Sequence, residues 1–565
     1  MSVTTAPALD RLADQAHRDA VLRCWTREHG IPVTDDLDVA VPGTSERLLA
    51  RVGHASRTGL HAFDDVRLRD TAGTTRAVDA VDLLGVLTTG ADPVERAALL
   101  DRTRESVANL ARFAARPAPD PVAEGAFLAG ERSLLLGHRH HPAPKSRDHL
   151  DADDLDAWSP ELTGRFRMHW FEAHVSVVGH GHVPSPCLDG HDVPSLLARV
   201  AGRPASPGHV LLPAHPWQAS DLLRRPAVRR LVDAGLLKPL GPLGDAWWAT
   251  SSLRTLYHPE HSVMLKLSLG LRITNSVREA TATELRRGLE VHRLLDTGYV
   301  PALPHGFTVV RDPGWAAIAD PADPSGGTLT GLDVTVREVP PGLERTTCLA
   351  GLIAPGAPDP DEPAGWRPSH LARRIGDDPA AWLAGYVDRV LVPMLHLYAV
   401  TGIGLEGHQQ NTLVRLDRDG QVAGGAFRDN QGYYLAASRL GEVLDVTEQG
   451  ESALAVVDDA VVDDRLTYYL LHNQTLALVG SMAAEGLVAE DRLLDVLRTR
   501  LAAARPGLAD AGAAGARLVD RWLDAHTLPC KANLATRLSG IDEVVAPLDA
   551  QSVYLDVPNP LAVTR

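Results

Sequence analysis

Cysteine is scarce in this chain of 565 residues: only four are present, and they lie far apart in the sequence. They form no C-x-x-C pair, which argues against a zinc ribbon and a dithiol redox motif. So few cysteines in so long a chain are typical of proteins from a reducing compartment. We therefore expect a cytoplasmic protein. The four positions are Cys24, Cys187, Cys348 and Cys530.

A long apolar run, a signal peptide and an excess of basic residues are also missing. The longest apolar run, Val390–Leu405, contains a proline, a histidine and two glycines, and it is shorter than the roughly 20 residues of a membrane span. The N-terminus, MSVTTAPALDRLADQ, lacks a basic stretch followed by an apolar core. Lys and Arg total 56 against 72 Asp and Glu, so the formal net charge of −16 argues against a nucleic-acid coat protein. We expect neither membrane nor nucleic acid as a partner.

Common nucleotide-binding and esterase motifs are absent as well. The chain has no G-x-x-x-x-G-K-[ST] and no G-x-S-x-G. One G-x-G-x-x-G occurs, GIGLEG at Gly402–Gly407, but it follows a predicted helix and precedes a predicted strand. That order is the reverse of the one in a dinucleotide-binding fold. We interpret the motif as a helix stop and flexible lead-in, so a nucleotide would bind outside these scaffolds.

The chain mixes helical and strand patterns, which predicts an α+β fold. Residues 1–114 have mainly helical patterns, and residues 131–310 mix helices with short strands. The segment ATELRRGLEVHRLLDTG spaces its leucines at helical intervals and ends at Gly298. Asp378 followed by proline is typical of an N-cap and first turn, and it predicts a helix that ends at Gly402.

The most informative segment is EGHQQN, which begins at residue 406 and precedes the apolar stretch TLVRL, with RDNQG downstream. Between these segments lies Asp-Gly, a strong hairpin signal. A two-residue loop at 419–420 would pair Gln410 with Asp429, and a four-residue loop would pair His408 with Asp429. Either register brings Asp429 beside the polar cluster. The sequence therefore predicts one site at the open end of an antiparallel hairpin.

The residue types at this open end suit a site for a metal and a nucleotide. Glu406 and Asp429 can hold Mg²⁺, which prefers carboxylate and phosphate oxygens. Gln410 and Asn411 can complete that shell, and His408 can bind an anion or move a proton. The alternative is a polar strand end that only caps a hairpin, and these residues alone leave both interpretations open.

Two segments carry a local positive charge in this acidic protein. Residues 251–278 contain four basic residues and one acid, and residues 137–147 contain three basic residues and no acid. Strand-like alternation in VMLKLSLGLRIT places Lys266 and Ser268 on one face. A lysine point charge beside an arginine fork suits a polyphosphate, although any one such residue alone is more often an ordinary surface group. The basic residues are Arg254, Lys266, Arg272 and Arg278 in the first segment and Arg139, Lys145 and Arg147 in the second.

Histidines in two short motifs carry weaker signals. His138, His140 and His141 lack the i, i+4 spacing of a helical zinc motif, so anion contact or a packed loop is favoured over a metal. PAHPWQ presents His215 and Gln218 on a turn between two prolines. A structural role for that turn is at least as well supported as a ligand contact.

The chain contains six short motifs, in the order GHRHHPAPKSR, HPWQ, ATSSLRTL, KLSLGLRITNSVRE, EGHQQNTLV and RDNQG. This is the order found in the IucA/IucC family of NRPS-independent siderophore synthetases, which the chain resembles over about residues 130 to 540. The tail LPCKANLATRLSG is similar to the family's C-terminal end. One departure is GHRHHP where the family often has GHPxHP, so Arg139 replaces a proline and the family's loop shape does not carry over directly there.

The resemblance implies an enzyme built of thumb, fingers and palm, commonly a homodimer, that uses ATP and Mg²⁺. It implies a helical thumb-like region over residues 1–130, a mixed fingers-like region over 131–345 and a palm-like region over 346–565 that holds the hairpin. Such enzymes adenylate a carboxylate and release pyrophosphate. An amine or hydroxyl then attacks the acyl adenylate, which gives an amide or ester and AMP.

The resemblance also assigns roles to single residues, grouped by the ligand that they would contact. ATP would contact His138, Lys145, Ser252, Arg254, Lys266, Gln410 and Asn411. The metal would bind Glu406 and Asp429, and the carboxylate would be held by Thr274, Arg278 and His408. The implied catalytic residues are Arg278, His408 and Lys266.

One motif indicates which carboxylate the enzyme would use. ITNSVRE, followed by ELRRGLEVHRLL, is similar to the subgroup that acts on free citrate, whereas the subgroup for an already amidated citrate tends to have TSAVRT. Citrate is therefore the expected carboxylate, and the amine or alcohol is left open.

Two other functions compete with this interpretation. A kinase-like phosphotransferase would release ADP, but Gln410 occupies the position of the catalytic aspartate and no Gly-rich loop precedes a lysine strand. A non-catalytic protein that binds a carboxylate or siderophore would not consume ATP. The intact set of Glu406, His408, Asn411 and Asp429 argues against lost catalysis.

Overall fold

A computed structural model describes residues 5–116, 125–148, 150–162, 164–273, 276–319, 327–340, 342–359, 361–362, 365–447, 454–541 and 551–562. Thr274, which the sequence assigned to the carboxylate, lies outside the described residues. The fold mixes helices with sheets that are mainly antiparallel, as the α+β prediction requires.

The N-terminal region is mainly helical, as predicted, but it also contains a four-stranded antiparallel sheet that the sequence did not reveal. Its strands are short and place charged side chains on the solvent face, so their apolar content does not stand out. Trp25 and Phe63 pack in the core between the sheet and the first helix. The elements are α1 (Ala6–Glu28), β1 (Leu37–Ala40), β2 (Arg47–His54), β3 (Ala62–Arg69), β4 (Thr75–Ala77), α2 (Ala80–Leu87) and α3 (Pro93–Ala114).

The middle of the chain forms an eight-stranded antiparallel sheet, in the order β6-β14-β15-β10-β9-β8-β5-β7. Trp170 and Trp247 are buried in its core. Helices α4 (Ala126–Arg132), α5 (Ala152–Trp158), α6 (Val193–Val200), α7 (Pro216–Leu222) and α8 (Pro226–Asp233) lie in the same region. The strands are β5 (Arg165–His174), β6 (Val178–His182), β7 (His209–Ala214), β8 (Leu237–Ala249), β9 (Thr255–Tyr257), β10 (Val263–Leu267), β14 (Gly314–Ala319) and β15 (Thr328–Glu338), with a separate pair β11 (Leu269–Ile273) and β12 (Ser276–Arg278).

The predicted single strand over VMLKLSLGLRIT is in fact two strands that belong to different sheets. The chain leaves the large sheet after β10 and enters the β11–β12 pair. Ser268 lies at this break, where its Oγ donates to Asp333 Oδ2 (2.6 Å) and accepts from the backbone N–H of Ala280 (2.9 Å). Lys266 remains in β10 opposite Thr335. The two side chains therefore have separate partners.

The C-terminal half packs around one large core in which Trp382, Tyr386, Tyr398 and Trp522 are buried. Its strands form a four-stranded sheet (β13-β19-β18-β16), a three-stranded sheet (β17-β20-β21) and the pair β22–β23. The strands are β13 (Thr308–Val309), β16 (Thr346–Cys348), β17 (Ile403–Leu405), β18 (Thr412–Leu416), β19 (Val422–Phe427), β20 (Tyr433–Ala436), β21 (Val456–Val457), β22 (Thr527–Lys531) and β23 (Tyr554–Pro558). The helices are α9 (Ala282–Asp296), α10 (Leu349–Leu352), α11 (Pro379–Tyr386), α12 (Val392–Thr401), α13 (Leu440–Leu444), α14 (Asp459–Leu466), α15 (Ala477–Ala484), α16 (Glu490–Ala511), α17 (Ala513–Asp524) and α18 (Asn533–Leu538), with π-helical turns at Val387–Leu391 and Thr467–Leu476.

The predicted helix ends are confirmed. Thr281 and Glu284 form a capping box at the start of α9, and Gly298 follows its end with φ +79°. Asp378 accepts from the backbone N–H of Ala381 (3.0 Å) at the start of α11, and Gly402 ends α12 in the left-handed conformation. The residues after Gly402 form the short strand β17 rather than a flexible segment.

One helical stretch in the described part of the chain, Pro379–Thr401, is long and apolar enough to cross a membrane. However, 61% of its most apolar window is buried inside the protein, and its residues belong to the main C-terminal core. Its apolar composition is therefore accounted for by core packing.

The predicted hairpin is confirmed, and its register is the one that places Gln410 opposite Asp429. β18 pairs with β19 from Thr412↔Phe427 to Arg415↔Gly424. The turn differs from the two-residue loop, because Leu416 pairs with Val422 after a bulge. The loop between them is closed by the Asp417 carboxylate, which accepts from the backbone N–H groups of residues 419 and 421 (2.9 Å each).

Candidate active site

A deep cavity lies where the large sheet, the hairpin and the C-terminal segments meet. Every predicted site residue that the structure describes lines it. The sequence segments that carry them are separated by up to about 290 residues, from the histidine loop to the RDNQG motif. These residues are His138, Lys145, Ser252, Arg254, Lys266, Arg278, Glu406, His408, Gln410, Asn411 and Asp429.

Asp429 is held between two cations. Lys266 Nζ donates to Asp429 Oδ1 (2.6 Å), and Arg337 Nη2 donates to the same oxygen (3.3 Å). Arg337 is itself fixed by two hydrogen bonds to the buried Asp312 (2.7 and 2.9 Å). Asp429 has φ +88°, an unusual backbone conformation for a residue other than glycine. Such strain at a side chain that lines a cavity is a frequent mark of a functional position.

The charges of Asp429, Lys266 and Arg337 shift one another's pKa values. Burial alone would raise the pKa of Asp429, but Lys266 and Arg337 outweigh it and hold that pKa well below the usual range. Burial lowers the pKa of Lys266 to about 8, even though Asp429 opposes the shift. Asp429 is therefore a carboxylate at neutral pH, and Lys266 loses its proton on going to mildly alkaline pH.

Glu406 is the second acid of the cavity, and it lies close to the hairpin backbone. Its Oε1 accepts from the hydroxyl of Tyr434. Burial raises the pKa of Glu406, and the charge of Asp429 adds to that shift. A Cβ at Gly432 would lie 3.1 Å from Glu406 Oε2, so glycine leaves room for the carboxylate there.

These acids fit a magnesium ion that is shared with a nucleotide. Among the residues that the structure describes, no group of three or more His, Cys, Asp or Glu side chains could hold a metal alone. Two carboxylates with an amide side chain, Asn411, leave positions for phosphate and water oxygens. Mg²⁺ is usually bound in proteins through one or two carboxylates plus substrate phosphates.

His408 is neutral in this structure. Burial lowers its pKa to about 3, and nearby positive groups, among them Arg278, add to the effect. A neutral imidazole can donate one hydrogen bond or accept a proton, but it cannot serve as a cationic anchor. The anion-binding role considered for His408 would therefore depend on a neutral hydrogen bond unless bound substrate charge raises this pKa.

The ATSSLRTL motif forms a tight turn that points into the cavity. Leu253, between Ser252 and Arg254, has φ +64°. Ser252 Oγ accepts from the backbone N–H of Thr255 (3.1 Å). Arg254 Nη1 donates to the backbone carbonyl of Arg278 (3.0 Å), which joins this turn to the β11–β12 pair. The turn thus holds Ser252 and Arg254, the predicted phosphate contacts, next to the strand that carries Arg278, the predicted carboxylate anchor.

A buried ion pair, which the sequence did not indicate, supports Gln410. Arg428 Nη1 lies 2.8 Å from Glu131 Oε1, and both side chains are buried. Glu131 also accepts from the hydroxyl of Ser251 (2.7 Å), which in turn accepts from Gln410 Nε2 (2.9 Å). Arg428 is within the RDNQG motif, but Glu131 lies outside all of the six motifs, and no spacing rule connects it to them.

The second basic segment, residues 137–147, is less cationic than its sequence implies. Lys145 Nζ donates to Glu161 (2.6 Å), and Arg147 lies 3.0 Å from the same carboxylate oxygen. All three side chains are buried. Burial lowers the pKa of Lys145, and Glu161 opposes that shift. The acid lies beyond the quoted motif, so counting charges within the motif missed it.

The histidine loop places His138 and His141 at the cavity and His140 away from it. His138 lines the cavity, and its Nε2 lies 2.9 Å from Asn473 Nδ2, whereas His140 points towards the N-terminal region. Arg139, the departure from the family motif, donates to the backbone carbonyl of Ile353 (2.9 Å) and does not line the cavity. The substitution therefore leaves the face with His138 intact.

The HPWQ motif has the structural role that the sequence allowed. His215 caps α7 and is buried. Gln218 Nε2 donates to Glu279 (2.7 Å), and its Oε1 accepts from the backbone N–H of Gly270 (2.6 Å). Neither residue lines the cavity. The motif instead holds the β11–β12 pair in place.

The C-terminal part of the chain contributes residues that sequence reasoning did not single out. Lys531 and Asn533 come from the tail motif, and Tyr468, Tyr469 and Asn473 come from the π-helical turn. A signal for Lys531 was available: the chain has only four lysines among its 56 basic residues. Three of those four line this cavity. A lysine ammonium is a compact point charge that differs from the planar guanidinium of arginine, so this concentration singles out the cavity.

Comparison with known proteins gives two adjoining family matches. The model of the IucA / IucC family matches residues 126–354, and a model described as ferric iron reductase FhuF-like transporter matches residues 380–545. The chain is 36% identical over 542 residues to the rhizobactin siderophore biosynthesis protein RhbC of Rhizobium meliloti, covering 91% of this chain and 90% of that protein. The chain belongs to the IucA/IucC family.

Other members of the IucA/IucC family support the same assignment over the whole chain. The spermidine-citrate ligase of Bacillus anthracis is 33% identical over 613 residues, covering 98% of each protein. The solved structure of ATP-bound aerobactin synthetase IucA from Klebsiella pneumoniae has a TM-score of 0.82 at 26% identity, covering 97% of this chain and 100% of that one. The fold is thus shared with a synthetase whose solved structure contains ATP.

Proposed function

We propose that this chain is an ATP-dependent siderophore synthetase that activates a carboxylate, with citrate favoured, as an acyl adenylate. An amine or hydroxyl then attacks the activated carbonyl, and an amide or ester and AMP leave. The observation that carries the proposal is the cavity itself, in which the strained, ion-paired Asp429 lies with Glu406 among buried Lys and Arg side chains.

The electrostatics of the cavity support an ATP and carboxylate pair. ATP and citrate together carry roughly seven negative charges at neutral pH, so the site that holds them must supply positive charge. Lys266, Arg254, Arg278, Arg337 and Lys531 line one cavity in a protein of net charge −16. Attack of a carboxylate on the α-phosphate needs positioned cations more than a strong base.

The roles of single residues follow from their positions. Ser252 and Arg254 on the turn, and Lys266 on β10, would contact the phosphates of ATP. Gln410 and Asn411 would orient the nucleotide, with His138 and Lys145 on the opposite loop. Arg278 would anchor a substrate carboxylate through paired hydrogen bonds, since a guanidinium fork matches a carboxylate.

Glu406 and Asp429 would hold Mg²⁺, with Asn411 beside them. When bound, the ion would neutralise phosphate charge and orient the triphosphate. Asp429 is already ionised through its contacts with Lys266 and Arg337, so its carboxylate is ready for a cation. Burial raises the pKa of Glu406, and an adjacent cation would lower that pKa and favour the carboxylate form that binds Mg²⁺.

The second step needs a neutral amine and a place for its proton. His408 lines the cavity beside Arg278, and its imidazole would accept that proton once the charge of the bound substrates has raised its pKa, which burial lowers to about 3. Arg278 would stabilise the negative charge that develops on the carbonyl oxygen.

Citrate is favoured because of the relatives and the ITNSVRE motif. One relative is named a spermidine-citrate ligase, and another, from Staphylococcus aureus, an L-2,3-diaminopropanoate–citrate ligase. Those nucleophiles differ from each other, so the relatives leave this chain's own amine or alcohol undefined. We also propose that the protein is cytoplasmic and that it forms a homodimer. Light scattering after size exclusion would test the oligomeric state.

Analysis of the products tests the proposal. Purified protein would be incubated with ATP, Mg²⁺, citrate and hydroxylamine, with a control that lacks citrate. We expect AMP, pyrophosphate and a hydroxamate that depend on citrate. Release of ADP would contradict adenylation and favour a phosphotransferase, and a lack of turnover with citrate, α-ketoglutarate and citryl monoamides would favour a binding protein.

A further inference from the structure

A second cavity lies between α1, the loop after β2 and the C-terminal segment that includes β23. It encloses about 830 Å³, within the range of cavities that hold small molecules. None of its described lining residues lines the candidate active site. It is therefore a separate space, and the proposed reaction gives it no role.

The cavity is lined by basic groups without any acid. Among its described lining residues, none is Asp or Glu, although the protein as a whole has a net charge of −16. Two of its arginines have partners outside it: Arg23 pairs with Asp19, and Arg57 pairs with Asp491. The basic and titratable lining residues are Arg23, Arg27, Arg57, His61, His472 and His526.

Arg27 is the exception, because no carboxylate in the described part of the chain pairs with it. Its Nη2 donates to the backbone carbonyl of Thr58 (3.1 Å) and lies 2.8 Å from His140 Nε2. Gly59 makes this position possible: a Cβ there would lie 2.4 Å from Arg27 Nη2, and its φ of +85° also favours glycine. Neutral groups, among them the thiol of Cys530 (3.8 Å from Arg27 Nη1), therefore position Arg27, whereas Glu28 interacts with its charge without forming an ion pair with it.

A second polar atom of the cavity wall lacks a partner. The Nε2 atom of His472 is buried and makes no hydrogen bond with any described residue. The rest of the wall is largely apolar, with Ile31, Val33, Leu476 and Pro560 among its residues. A guanidinium that forms no ion pair, at the wall of a largely apolar cavity, matches an organic anion with an apolar body.

Residues in the wall of this second cavity also contact the loop that carries His138, a proposed ATP contact in the active site. Arg27 contacts His140, two residues after His138 in the loop that lines the active cavity. His472 is next to Asn473, whose Nδ2 lies 2.9 Å from His138 Nε2. Arg27 and His472 are therefore each connected, through His140 and Asn473 respectively, to the loop residue His138, a proposed ATP contact. A ligand that drew Arg27 from His140 would change the support of that loop.

We infer that the second cavity binds a small carboxylate with an apolar body, and that its occupancy changes the affinity of the active site for ATP. The carboxylate would bind Arg27, and the apolar body would lie against Ile31 and Val33. The coupling is reciprocal, so bound ATP would change the affinity for the carboxylate by the same factor.

The binding experiment uses benzoate as the probe and benzamide as its neutral match. Calorimetry would be done on the full chain with a saturating non-hydrolysable ATP analogue, Mg²⁺ and citrate, which fill the active cavity. We expect saturable binding of benzoate and none of benzamide. Arg27→Met should weaken benzoate at least about tenfold, because the charged hydrogen bonds are lost. Arg51→Met, at an exposed arginine of β2, is the matched control.

A second variant keeps the test decisive if Arg27→Met does not fold. Ala55 is exposed at the wall of the cavity, so Ala55→Trp should block the space without burying a new group. It should also weaken benzoate at least about tenfold. No benzoate binding to the wild type, equal binding of benzamide, or benzoate affinity unchanged in the variants would overturn the site.

The coupling is measured separately. We expect benzoate to change the Kd of the ATP analogue at least twofold in the wild type and in Arg51→Met, and not in Ala55→Trp. If benzoate did not change the Kd of the ATP analogue, the coupling between the two cavities would be overturned, but the proposed carboxylate site would still stand. Because both readouts are binding, they do not depend on the proposed reaction, and its failure would be seen only in the product analysis.

Discussion

Lys266 combines full burial with a proposed contact to phosphate. Its ammonium group lies in a cavity wall where Arg254 and Arg337 repel its charge and Asp429 attracts it. The balance lowers its pKa to about 8, well below the usual value for lysine. A lysine in this state holds its proton at neutral pH and gives it up more readily than a surface lysine.

The first prediction concerns the pH dependence of ATP use. Lys266 is charged below about pH 8 and neutral above it, so kcat/KM for ATP should fall about tenfold per pH unit above that value. Lys266→Arg keeps its charge at all these pH values, and it should remove the alkaline fall even if its overall rate is lower. Steady-state kinetics from pH 6.5 to 9.5 would measure this. If kcat/KM fell equally at alkaline pH in the wild type and in Lys266→Arg, Lys266 would not be the group that binds the phosphates through its charge.

The second prediction concerns the metal. Asp429→Asn removes a carboxylate ligand and also leaves Lys266 and Arg337 without their counter-charge. We expect the Mg²⁺ concentration for half-maximal activity to rise about tenfold or more. Asp417→Asn, at the closed end of the same hairpin, should leave the Mg²⁺ titration unchanged. Superimposable titrations for wild type and Asp429→Asn would show that the hairpin is not the metal site.

The third prediction concerns the carboxylate. Arg278→Ala should lower kcat/KM for citrate by about thirtyfold or more, since loss of a charged hydrogen-bonding partner costs roughly 2 kcal/mol or more. Binding of the ATP analogue, measured by calorimetry, should change much less. Arg272→Ala, on the adjacent strand and outside the cavity lining, is the control. Near-normal kinetics with citrate in Arg278→Ala would refute this assignment.

At the scale of elements, the hairpin was the part of the fold that the sequence determined best. Its Asp-Gly turn and the flanking apolar stretches are local signals, and they placed Asp429 beside the polar cluster, opposite either Gln410 or His408. The turn itself could not be predicted, because the Asp417 side chain closes a longer loop and a bulge absorbs the difference. The bulge restores the register that a two-residue loop would give.

A pair of insertions tests the importance of that register. One glycine inserted between Arg418 and Asp419 extends an exposed loop, and kcat/KM should stay within about twofold. The same insertion between Phe427 and Arg428 moves Asp429 away from Lys266, and it should reduce kcat/KM at least about a hundredfold. Thermal unfolding of both variants shows whether the fold is kept. Equal activity of two folded insertion variants would contradict the account of the hairpin.

Other elements could not be predicted because their signals are not local. The N-terminal sheet has short strands with charged outer faces, so its pattern resembles polar loops. Arg337 and Glu131 reach the site network only through the packing of β15 and α4, and nothing near them in the sequence marks them. Sequence motifs identified the residues that face the ligand, whereas the residues that support them emerged from the structure.

At the scale of the whole molecule, the cavity closes only because distant segments pack together. Asn533 Nδ2 donates to the backbone carbonyl of His140 (2.8 Å), which joins the tail to the histidine loop. Glu28 on α1 accepts from the backbone N–H groups of Leu534 and Ala535 (2.8 Å each) at the start of α18. The resemblance of the tail to the family was visible in the sequence, but its place beside the histidine loop depends on these long-range contacts.

The four lysines provide a prediction at this scale. Lys531→Met should raise KM for ATP or citrate at least about tenfold, although Lys531 follows the EGHQQN segment by more than a hundred residues. Lys238→Met, at the one lysine outside the cavity lining, is an exposed control and should match the wild type. Kinetics of both variants decide the matter. A Lys531 variant that folds and behaves like the Lys238 variant would remove the tail from the active site.

The central claim is that a carboxylate oxygen attacks the α-phosphate of ATP, and the fate of that oxygen tests it most directly. Citrate labelled with ¹⁸O in its carboxylates would be turned over with ATP, Mg²⁺ and hydroxylamine, and the products analysed by mass spectrometry. Attack at the α-phosphate followed by acyl transfer leaves one carboxylate oxygen on the nucleotide, so we predict AMP with one ¹⁸O and unlabelled pyrophosphate. ADP together with labelled inorganic phosphate, or AMP without label, would contradict the account.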